Sequence, residues 1–401
     1  MKKRFLMIVL FSAFGCPSMA VSEDWPNWRG PNFDGVSVEK LPDKLPEKPE
    51  ILWRAKIGIG FSTVSVARGR VFTMGNHDGT DTVWCFDAES GEMIWKHSYA
   101  CKLDPRYYEG GPSATPTVHG DSVFTLSKKG HAFRLDFKTG EVLWSRDLIQ
   151  DHGFKLPEWS FASSPFVFED RIILNVGGAG TALDYETGRT IWKSSTEKSG
   201  YSSAVPFERD EKAELILFVA EEVIGLDPVN GNVTWRFSSK SSRNVSAADA
   251  VVSGNRLMIS SSVGAVCLEI AAGRNPEPKV IWETRELRTY FNPTVRVGEY
   301  LYAIHGTTHR PTELVCLDWR SGEPCWSEPG FGSGALMAAV DQLIVFDKGL
   351  LTVFPANPER FDLQFQARIL NGKCWTVPVL ANGRIYCRNA TGDLVCVVIN
   401  Q

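Results

Sequence analysis

The stretch that decides the fold reads LDFKTGEVLW at residues 135–144 and recurs as LDYETGRTIW at residues 183–192. Its skeleton is Asp, three residues, Gly, three residues, Trp. Complete copies occur at Asp87/Gly91/Trp95, Asp136/Gly140/Trp144, Asp184/Gly188/Trp192, Asp227/Gly231/Trp235 and Asp318/Gly322/Trp326. A further copy has Glu269, Gly273 and Trp282, with extra residues inserted before the Trp. A unit that recurs at a regular spacing predicts a repeat architecture.

The spacing within this unit is that of a strand, a tight turn and a second strand. The Asp side chain can accept hydrogen bonds from turn amides, and the Gly supplies a positive φ. The Trp then falls on the second strand, where its large ring can pack one sheet against the next. Two further strand signals precede each copy, for example at residues 113–118 and 122–126. Each unit therefore predicts four strands.

The period of the repeat predicts the number of units. Successive Trp positions lie forty-odd residues apart, which is the period of a β-propeller blade. Eight units are expected, and their innermost strands are expected to begin near Phe61, Ser113, Phe161, Tyr201, Val245, Phe291, Ser333 and Trp375. The expected blade-docking residues are Trp53, Trp95, Trp144, Trp192, Trp235, Trp282 and Trp326.

The last two units and the start of the chain predict how the ring closes. In the seventh unit, Phe365 stands where a Trp is expected, and the eighth unit lacks its outermost strand. Residues 51–53 form an unpaired outer strand before the first unit. We therefore predict an all-β, eight-bladed β-propeller of four-stranded antiparallel blades at residues 51–401. A strand from the N-terminus would close the ring and remove two open sheet edges.

The N-terminus has the order of a secretory signal peptide. Basic residues 2–4 precede an apolar run at 5–14 and small residues that end at Ala20. Residues 1–20 are therefore predicted to be removed on export, and lipidation at Cys16 is the alternative. The apolar run is too short for a permanent membrane helix, and no later stretch is long enough. We expect a periplasmic or secreted protein, anchored by lipid if Cys16 is modified.

Residues 21–50 separate the signal peptide from the ring. Trp25, Trp28 and Arg29 make the first half too aromatic for a free tail, so we predict that it docks on the propeller surface. Three spaced prolines, at positions 42, 46 and 49, predict a linker in the second half. The expected order is signal peptide, docking segment with linker, and a single propeller.

Composition excludes several classes of function. The 43 basic and 47 acidic residues give a net charge of −4, which offers no basic field for nucleic acid. The cysteines after the signal peptide lack the C-x-x-C spacing of zinc and thioredoxin-type sites, so no metal site is predicted. Cys387 with Cys396, and Cys316 with Cys325, flank tight turns and could pair across hairpins. Free thiols are the alternative.

The repeat resembles the tryptophan-docking repeat of the pyrroloquinoline quinone (PQQ) propeller family, most clearly at Leu135–Trp144 and Leu183–Trp192. The resemblance covers roughly nine tenths of the chain, counted by repeats. It implies the fold more strongly than a function, because the motif residues dock blades. Residues 25–32 also resemble the N-terminal stretch of PQQ-like propeller proteins of planctomycetes.

Two branches of this family imply different functions. Quinoprotein dehydrogenases hold PQQ with Ca²⁺, a catalytic Asp and a disulfide between adjacent cysteines. This sequence has no adjacent cysteines and lacks the long insertions of those enzymes. The other branch resembles BamB, the lipoprotein subunit of the outer-membrane β-barrel assembly machinery, an eight-bladed ring of similar size without a cofactor.

Ligands of a propeller are expected over the central channel, on loops that lead into the innermost strands. Those loops are aromatic here, and the candidate ligand-binding residues are Tyr107, Tyr108, Glu109, Trp159, Tyr201, Arg243, Tyr290, Asn292 and Trp375. Together they could stack on and hydrogen-bond to a peptide, a sugar or a planar cofactor. Packing of the loops against one another is the alternative.

Three functions follow from these observations. The first is a non-catalytic binding or scaffolding protein of the cell envelope, similar to the BamB-like branch, with another envelope protein or a peptide as its partner and no cofactor. The second is a small PQQ-dependent or related oxidoreductase, with PQQ and calcium at the channel mouth. The third is a glycan-binding propeller. The sequence assigns no catalytic residue, and it favours a non-enzyme.

Overall fold

The computed structural model describes residues 23–42, 44–106, 108–239, 247–306 and 311–399. The predicted signal peptide and Cys16 lie outside these residues. Two strands precede the first blade, namely β1 (Val36–Ser37) and β2 (Glu50–Lys56). The sheets that follow are arranged as eight blades, so the predicted all-β, eight-bladed propeller is confirmed.

Blades one to four follow in chain order, each from its innermost to its outermost strand. Blade one contains β3 (Ser65–Ala67), β4 (Arg70–His77), β5 (Thr80–Asp87) and β6 (Met93–Ala100). Blade two contains β7 (Thr117–His119), β8 (Ser122–Leu126), β9 (His131–Asp136) and β10 (Val142–Asp147), and the short helix α1 (Leu148–His152) follows it. Blade three contains β11 (Phe166–Phe168), β12 (Arg171–Leu174), β13 (Thr181–Asp184) and β14 (Thr190–Lys193). Blade four contains β15 (Val205–Arg209), β16 (Lys212–Phe218), β17 (Glu222–Leu226) and β18 (Val233–Ser238).

Blades five to eight complete the ring. Blade five contains β19 (Val251–Ser253), β20 (Arg256–Ser261), β21 (Gly264–Glu269) and β22 (Lys279–Thr284). Blade six contains β23 (Val295–Val297), β24 (Tyr300–His305), β25 (Glu313–Asp318) and β26 (Pro324–Pro329). Blade seven contains β27 (Ala335–Ala339), β28 (Gln342–Asp347), β29 (Leu350–Pro355) and β30 (Phe365–Arg368). Blade eight contains β31 (Val379–Ala381), β32 (Arg384–Arg388) and β33 (Asp393–Val398), and β2 is its outermost strand.

Two details differ from the expected pattern. The innermost strands begin two to six residues later than expected, because the residues before them run as loops along the channel. Blade seven has a fifth strand, since β1 pairs in parallel with β27. The expectation of four strands therefore holds for the other seven blades.

The docking Trp residues join each blade to the next. Trp144 of blade two is buried, and its Nε1 donates to the carbonyl oxygen of Tyr185 in blade three at 2.8 Å. Its ring covers Gly188, where an added Cβ would lie 2.7 Å from the indole. The same two contacts are made by Trp53 at Gly91, Trp95 at Gly140, Trp192 at Gly231 and Trp282 at Gly322. The turn of each of these blades thus forms the surface on which the Trp of the preceding blade packs.

Two of the docking residues are seated differently. In blade five, the turn that corresponds to the Trp-binding turns of the other blades is the lengthened hairpin between β21 and β22. A Cβ added at Gly273 in this hairpin would have no atom within 4 Å, so Trp235 does not pack on it. The Nε1 of Trp235 donates to Glu214 Oε2 at 3.2 Å instead. Trp326 donates to the carbonyl oxygen of Asn357 at 2.9 Å, in a turn without Gly. Phe365 is buried at the position of the missing Trp.

The ring is closed by strand pairing and by one buried guanidinium. Strand β2 pairs antiparallel with β33, as predicted from the sequence. Arg388 of blade eight is buried and donates to three carbonyl oxygens of blade one and the loop before it, at Ser62 (2.9 Å), Met74 (2.7 Å) and Gly58 (3.0 Å). Burial lowers the pKa of Arg388 to about 9. These bonds tie the last blade to the first.

Candidate functional site

The central channel opens on one face of the ring as a cavity of about 630 Å³. Its wall is formed by loops that lead into the innermost strands, and we call it the channel pocket. The lining residues are Trp28, Phe61, Arg106, Tyr108, Ser113, Trp159, Ala162, Ser164, Tyr201, Ser203, Ala247, Asp249, Tyr290, Phe291, Lys373, Trp375 and Thr376. A cavity of this size can hold a small molecule or the end of a peptide.

Aromatic rings form a large part of the wall of the channel pocket. We call Phe61, Tyr108, Trp159, Tyr201, Tyr290, Phe291 and Trp375 the aromatic collar. Ring centroids are separated by 5.0 Å between Phe291 and Trp375, 5.6 Å between Trp375 and Phe61, 5.4 Å between Phe61 and Tyr108, and 6.0 Å between Tyr108 and Trp159. The Tyr201 hydroxyl accepts from the Trp159 amide at 3.2 Å. Neighbouring rings therefore hold one another in place and offer their faces and edges to a ligand.

The N-terminal segment crosses the channel and contacts several blades. Trp25 and Val66 of β3 exchange backbone hydrogen bonds at 2.8 Å, and the amide of Val118 in β7 donates to the carbonyl oxygen of Pro26 at 2.7 Å. Strand β1 pairs with β27 on blade seven. Trp28 lies between these attachments and forms the floor of the channel pocket. The N-terminal segment therefore contributes part of the lining of the channel pocket.

A buried carboxylate fixes this floor. Asp249 accepts from Trp28 Nε1 through Oδ2 and from the Ser203 amide through Oδ1 at 2.8 Å. Arg29 is also buried, and it donates to the carbonyl oxygens of Thr294 at 2.8 Å and of Asp34. Burial raises the pKa of Asp249 and lowers the pKa of Arg29, and the attraction between the two charges opposes both shifts. Both oxygens of Asp249 thus hold the pocket together.

A chain of hydrogen bonds links the pocket wall from blade to blade. The Thr115 amide donates to Ser164 Oγ at 2.9 Å, and the Ser164 amide donates to Ser203 Oγ at 2.9 Å. The chain ends with the Ser203 amide on Asp249. Because each serine oxygen serves as an acceptor, its hydroxyl hydrogen remains for a second bond. Ser164 and Ser203 can therefore donate to a ligand in the pocket.

Charged side chains lie near the channel pocket, and two of them, Arg106 and Lys373, line it. Lys373 Nζ lies 2.8 Å from Glu109 Oε2 and 4.4 Å from the Trp375 ring centroid. Lys128 Nζ donates to the Tyr108 hydroxyl at 2.5 Å, and burial lowers the pKa of Lys128 to about 8. Asp104 accepts from Lys129 at 2.9 Å and lies 3.6 Å from Arg106. These six side chains, which we call the mouth charges, are four cations and two carboxylates.

The structure brings most of the predicted ligand-binding residues together. Five of them line the channel pocket, namely Tyr108, Trp159, Tyr201, Tyr290 and Trp375. Glu109 holds Lys373 at the rim. Asn292 is buried away from the cavity, where its amide donates to the carbonyl oxygens of Ser333 at 3.1 Å and of Gly334. Tyr107 and Arg243 lie outside the described residues.

The sequence prediction missed several residues of the channel pocket. Phe61 and Phe291 were recognised as strand entries but were not assigned to the site, and Trp28 was expected only to dock on the surface. Asp249 stands two residues before β19, as Ser203 stands before β15. That shared position could have identified Asp249. The positions of Arg106 and Lys373 carry no comparable signal in the sequence.

The described residues also bear on metal binding, cysteine pairing and membrane-spanning helices. They contain no group of three His, Cys, Asp or Glu side chains placed to hold a metal ion. The eight cysteines among them are free thiols, and the register of β32 and β33 sets Cys396 opposite Tyr386 rather than Cys387. Within the same residues, no helix has the length and apolarity needed to cross a membrane.

Curated relatives of this chain include two kinds of protein. BamB of Shewanella oneidensis is 21% identical over 382 residues, which covers 88% of this chain and 89% of that protein. Quinohemoprotein alcohol dehydrogenase ADH IIB of Pseudomonas putida is 27% identical over 159 residues, which covers 34% of this chain and 21% of that enzyme. The similarity to the assembly factor thus extends over both chains, whereas that to the dehydrogenase is local.

Solved structures share the fold of this chain. BamB from Moraxella catarrhalis superposes with a TM-score of 0.64 at 14% identity, covering 88% of this chain and 98% of that one. The quinohemoprotein alcohol dehydrogenase of Comamonas testosteroni superposes with a TM-score of 0.68 at 14% identity, covering 95% and 81%. The family model described as outer membrane protein assembly factor BamB matches residues 46–217, 101–328 and 167–369. Since these overlapping stretches span more than half of its length, the chain belongs to the BamB family of β-propellers.

Proposed function

We propose that this protein is a non-catalytic binding protein of the cell envelope whose channel pocket receives part of another envelope protein. The observation that carries the proposal is the structural role of Asp249, whose carboxylate accepts hydrogen bonds from the protein. It is the one carboxylate among the described lining residues, and both of its oxygens accept hydrogen bonds from the protein itself. A buried carboxylate whose two oxygens each accept a hydrogen bond from the protein is oriented by the fold, and in this position it fixes the shape of a binding site.

The relatives support the partner and the location. The BamB of Shewanella oneidensis, which is similar along 88% of this chain, is an outer membrane protein assembly factor. A partner in the envelope is consistent with that relationship. The aromatic collar supplies the kind of surface that carries binding energy in protein complexes, because Trp and Tyr dominate the residues whose loss weakens an interface.

Site-specific photocrosslinking in cells tests this proposal. The full chain carries p-benzoylphenylalanine at Phe291 in the collar, or at Val280 on an exposed outer strand as the control. We expect a discrete crosslinked envelope protein from position 291 only. The substitution Ala162→Trp, which fills the channel pocket, should abolish that product, and Ala272→Trp in an exposed turn should not. Equal crosslinking from both positions would rule out the proposal.

A second candidate function is that of an oxidoreductase with a planar ring ligand, and the aromatic collar is the observation that favours it. PQQ with calcium does not fit, because calcium takes about six to eight oxygen ligands, whereas the described lining offers one carboxylate and the described residues contain no group of three His, Cys, Asp or Glu side chains placed to hold a metal ion. A planar ligand without a metal could stack within the collar. Visible absorbance of the purified protein, together with dye-linked turnover of alcohols or sugars that Ala162→Trp abolishes, would favour this function over the first.

A further inference from the structure

We propose that Cys316 and Cys325 are a redox-active pair, which a disulfide oxidant converts to a disulfide across the outer hairpin of blade six. The pair lies on the hairpin formed by β25 and β26, and neither cysteine lines the channel pocket. It is therefore a second site, separate from whatever the channel pocket binds. Three features support it: the register of the hairpin, the contact between the two thiols and the exposure of one of them.

A β-bulge brings the two cysteines to one position of the hairpin. Cys316 of β25 pairs with Trp326 of β26. The next residue, Leu317, pairs with Pro324, which leaves Cys325 as an extra residue in β26. Two residues of β26 thus oppose Cys316. Cα atoms of opposed antiparallel residues lie about 4.5 to 5.5 Å apart, within the range of about 4.4 to 6.8 Å that a disulfide bridges.

The two thiols interact directly in the reduced hairpin. Burial raises the pKa of Cys316 to about 12, and the Cys325 thiol adds to that rise. Burial also raises the pKa of Cys325, and a hydrogen bond with the Cys316 thiol opposes this rise. Each of these effects requires the two sulfur atoms to lie close together. The side chains are therefore already directed toward each other, as bond formation requires.

Other blades provide an internal comparison for this pair. A cysteine also lies opposite the docking Trp in blades one, five and eight, at Cys85, Cys267 and Cys396. The residue at the bulge is aliphatic in those blades, at Ile94, Ile281 and Leu52. A cysteine opposite the Trp is thus a recurring core residue. Within the part of the chain that the structure describes, only blade six adds a second thiol at the bulge.

The difference in exposure between the two thiols sets the order of the chemistry. Cys325 is exposed and can meet an oxidant, whereas Cys316 is buried. The Cys325 thiolate attacks one sulfur of the oxidant, which forms a mixed disulfide and releases one thiol of the oxidant. The Cys316 thiolate then attacks the Cys325 sulfur and releases the second thiol. The protein loses two electrons and two protons, and the oxidant takes up both as it becomes two thiols.

The disulfide would restrain the strand that carries Trp326. This residue joins blade six to blade seven through a hydrogen bond to the carbonyl oxygen of Asn357, in a turn without the Gly that most of the docking Trp residues contact. A covalent link one residue away restricts the unfolded hairpin and so stabilises the folded one. The bond thus reinforces a blade junction that lacks the contact between Trp and Gly.

Oxidation of the full mature protein tests the inference. The protein is reduced, freed of reductant, treated with oxidised glutathione, alkylated under denaturing conditions and digested with trypsin. Arg320 lies between the two cysteines, so a disulfide joins two tryptic peptides, and their combined mass is lower by two hydrogens. We expect this linked product, and we expect Cys316→Ser to stop at a glutathione adduct on Cys325. Alkylation of both thiols, or a lasting glutathione adduct in the wild-type protein, would overturn the proposal.

Two further variants test the geometry and its consequence. Ile94→Cys places a thiol at the bulge of blade one and should yield a second linked pair, with Cys85, under the same treatment. In the wild-type protein Cys85 is the matched control and should be alkylated. Oxidation should raise the midpoint of thermal unfolding by about 2 to 4 °C in the wild-type protein and leave that of Cys325→Ser unchanged. Absence of the second pair would refute the bulge geometry, and equal wild-type midpoints before and after oxidation would refute the stabilising role.

Discussion

The substitution Gly188→Ala tests whether the turn of each blade is the seat for the preceding Trp. Gly188 has a φ of +66°, and an added Cβ would lie 2.7 Å from the ring of Trp144. The ring cannot withdraw easily, because its Nε1 is bonded to the carbonyl oxygen of Tyr185. Gly254→Ala is the matched control, since Gly254 has a φ of +59° and no atom within 4 Å of the added Cβ.

The expected magnitudes differ because only one of these variants creates a steric conflict. An Ala in the left-handed region costs about 1 kcal/mol at either position. Overpacking adds about 1 to 3 kcal/mol where a buried contact must move. We therefore expect Gly188→Ala to lower the free energy of unfolding by about 2 to 4 kcal/mol and Gly254→Ala by about 1 kcal/mol.

Urea unfolding followed by circular dichroism measures the difference as a shift in midpoint at constant slope. Gly188→Ala should lower the free energy of unfolding less in the Trp144→Phe variant than in the wild-type protein, because the smaller Phe ring leaves room for the methyl group. Equal midpoints for Gly188→Ala and Gly254→Ala would refute the idea that the Trp is seated on the glycine. Full additivity in the double variant would do the same.

Three further predictions concern ring closure, pH and the pocket floor. Arg388→Met removes one donor from each of three carbonyl oxygens and should destabilise the ring by about 3 kcal/mol or more, whereas the exposed Arg320→Met should have little effect in thermal unfolding. Burial lowers the pKa of Lys128 to about 8 from an ordinary value of 10.5. Between these pH values the unfolded chain binds more protons, so stability relative to Lys128→Met should rise with pH by up to about 1 kcal/mol per unit, and a flat difference between pH 8 and 9.5 would contradict this. Trp28→Ala should expose residues 23–37 to limited proteolysis, and unchanged cleavage would show that the segment is held without the Trp28–Asp249 contact.

The repeat was readable from the sequence because its determinants are local. Asp136 accepts from the amides of Lys138 and Thr139 at 2.8 Å, so the turn is built within a few residues of one another. Gly140 supplies the positive φ that completes it. The period of such turns counts the blades, and the orphan strand at residues 51–53 indicates how the ring closes. These features need no knowledge of distant contacts.

Departures from the repeat depended on packing between units. The insertion after Glu269 was visible in the sequence, yet only the structure shows that it removes the seat for Trp235 and that Glu214 takes its place as hydrogen-bond partner. The pairing of β1 with blade seven joins residues about three hundred positions apart, and no local pattern specifies that choice. Such contacts are selected by the shape of the finished ring.

The candidate site likewise contains residues that could be predicted from local sequence and residues that depend on distant contacts. Aromatic residues before the innermost strands could be identified from their positions, since every blade enters the channel in the same way. The contribution of the N-terminal segment could not, because Trp28 and Asp249 are 221 residues apart and meet only because that segment crosses the channel. The sequence by itself determined the ring and the aromatic character of its mouth. The tertiary structure decided that the N-terminal segment completes the pocket lining, because that depends on which distant segment lies across the channel.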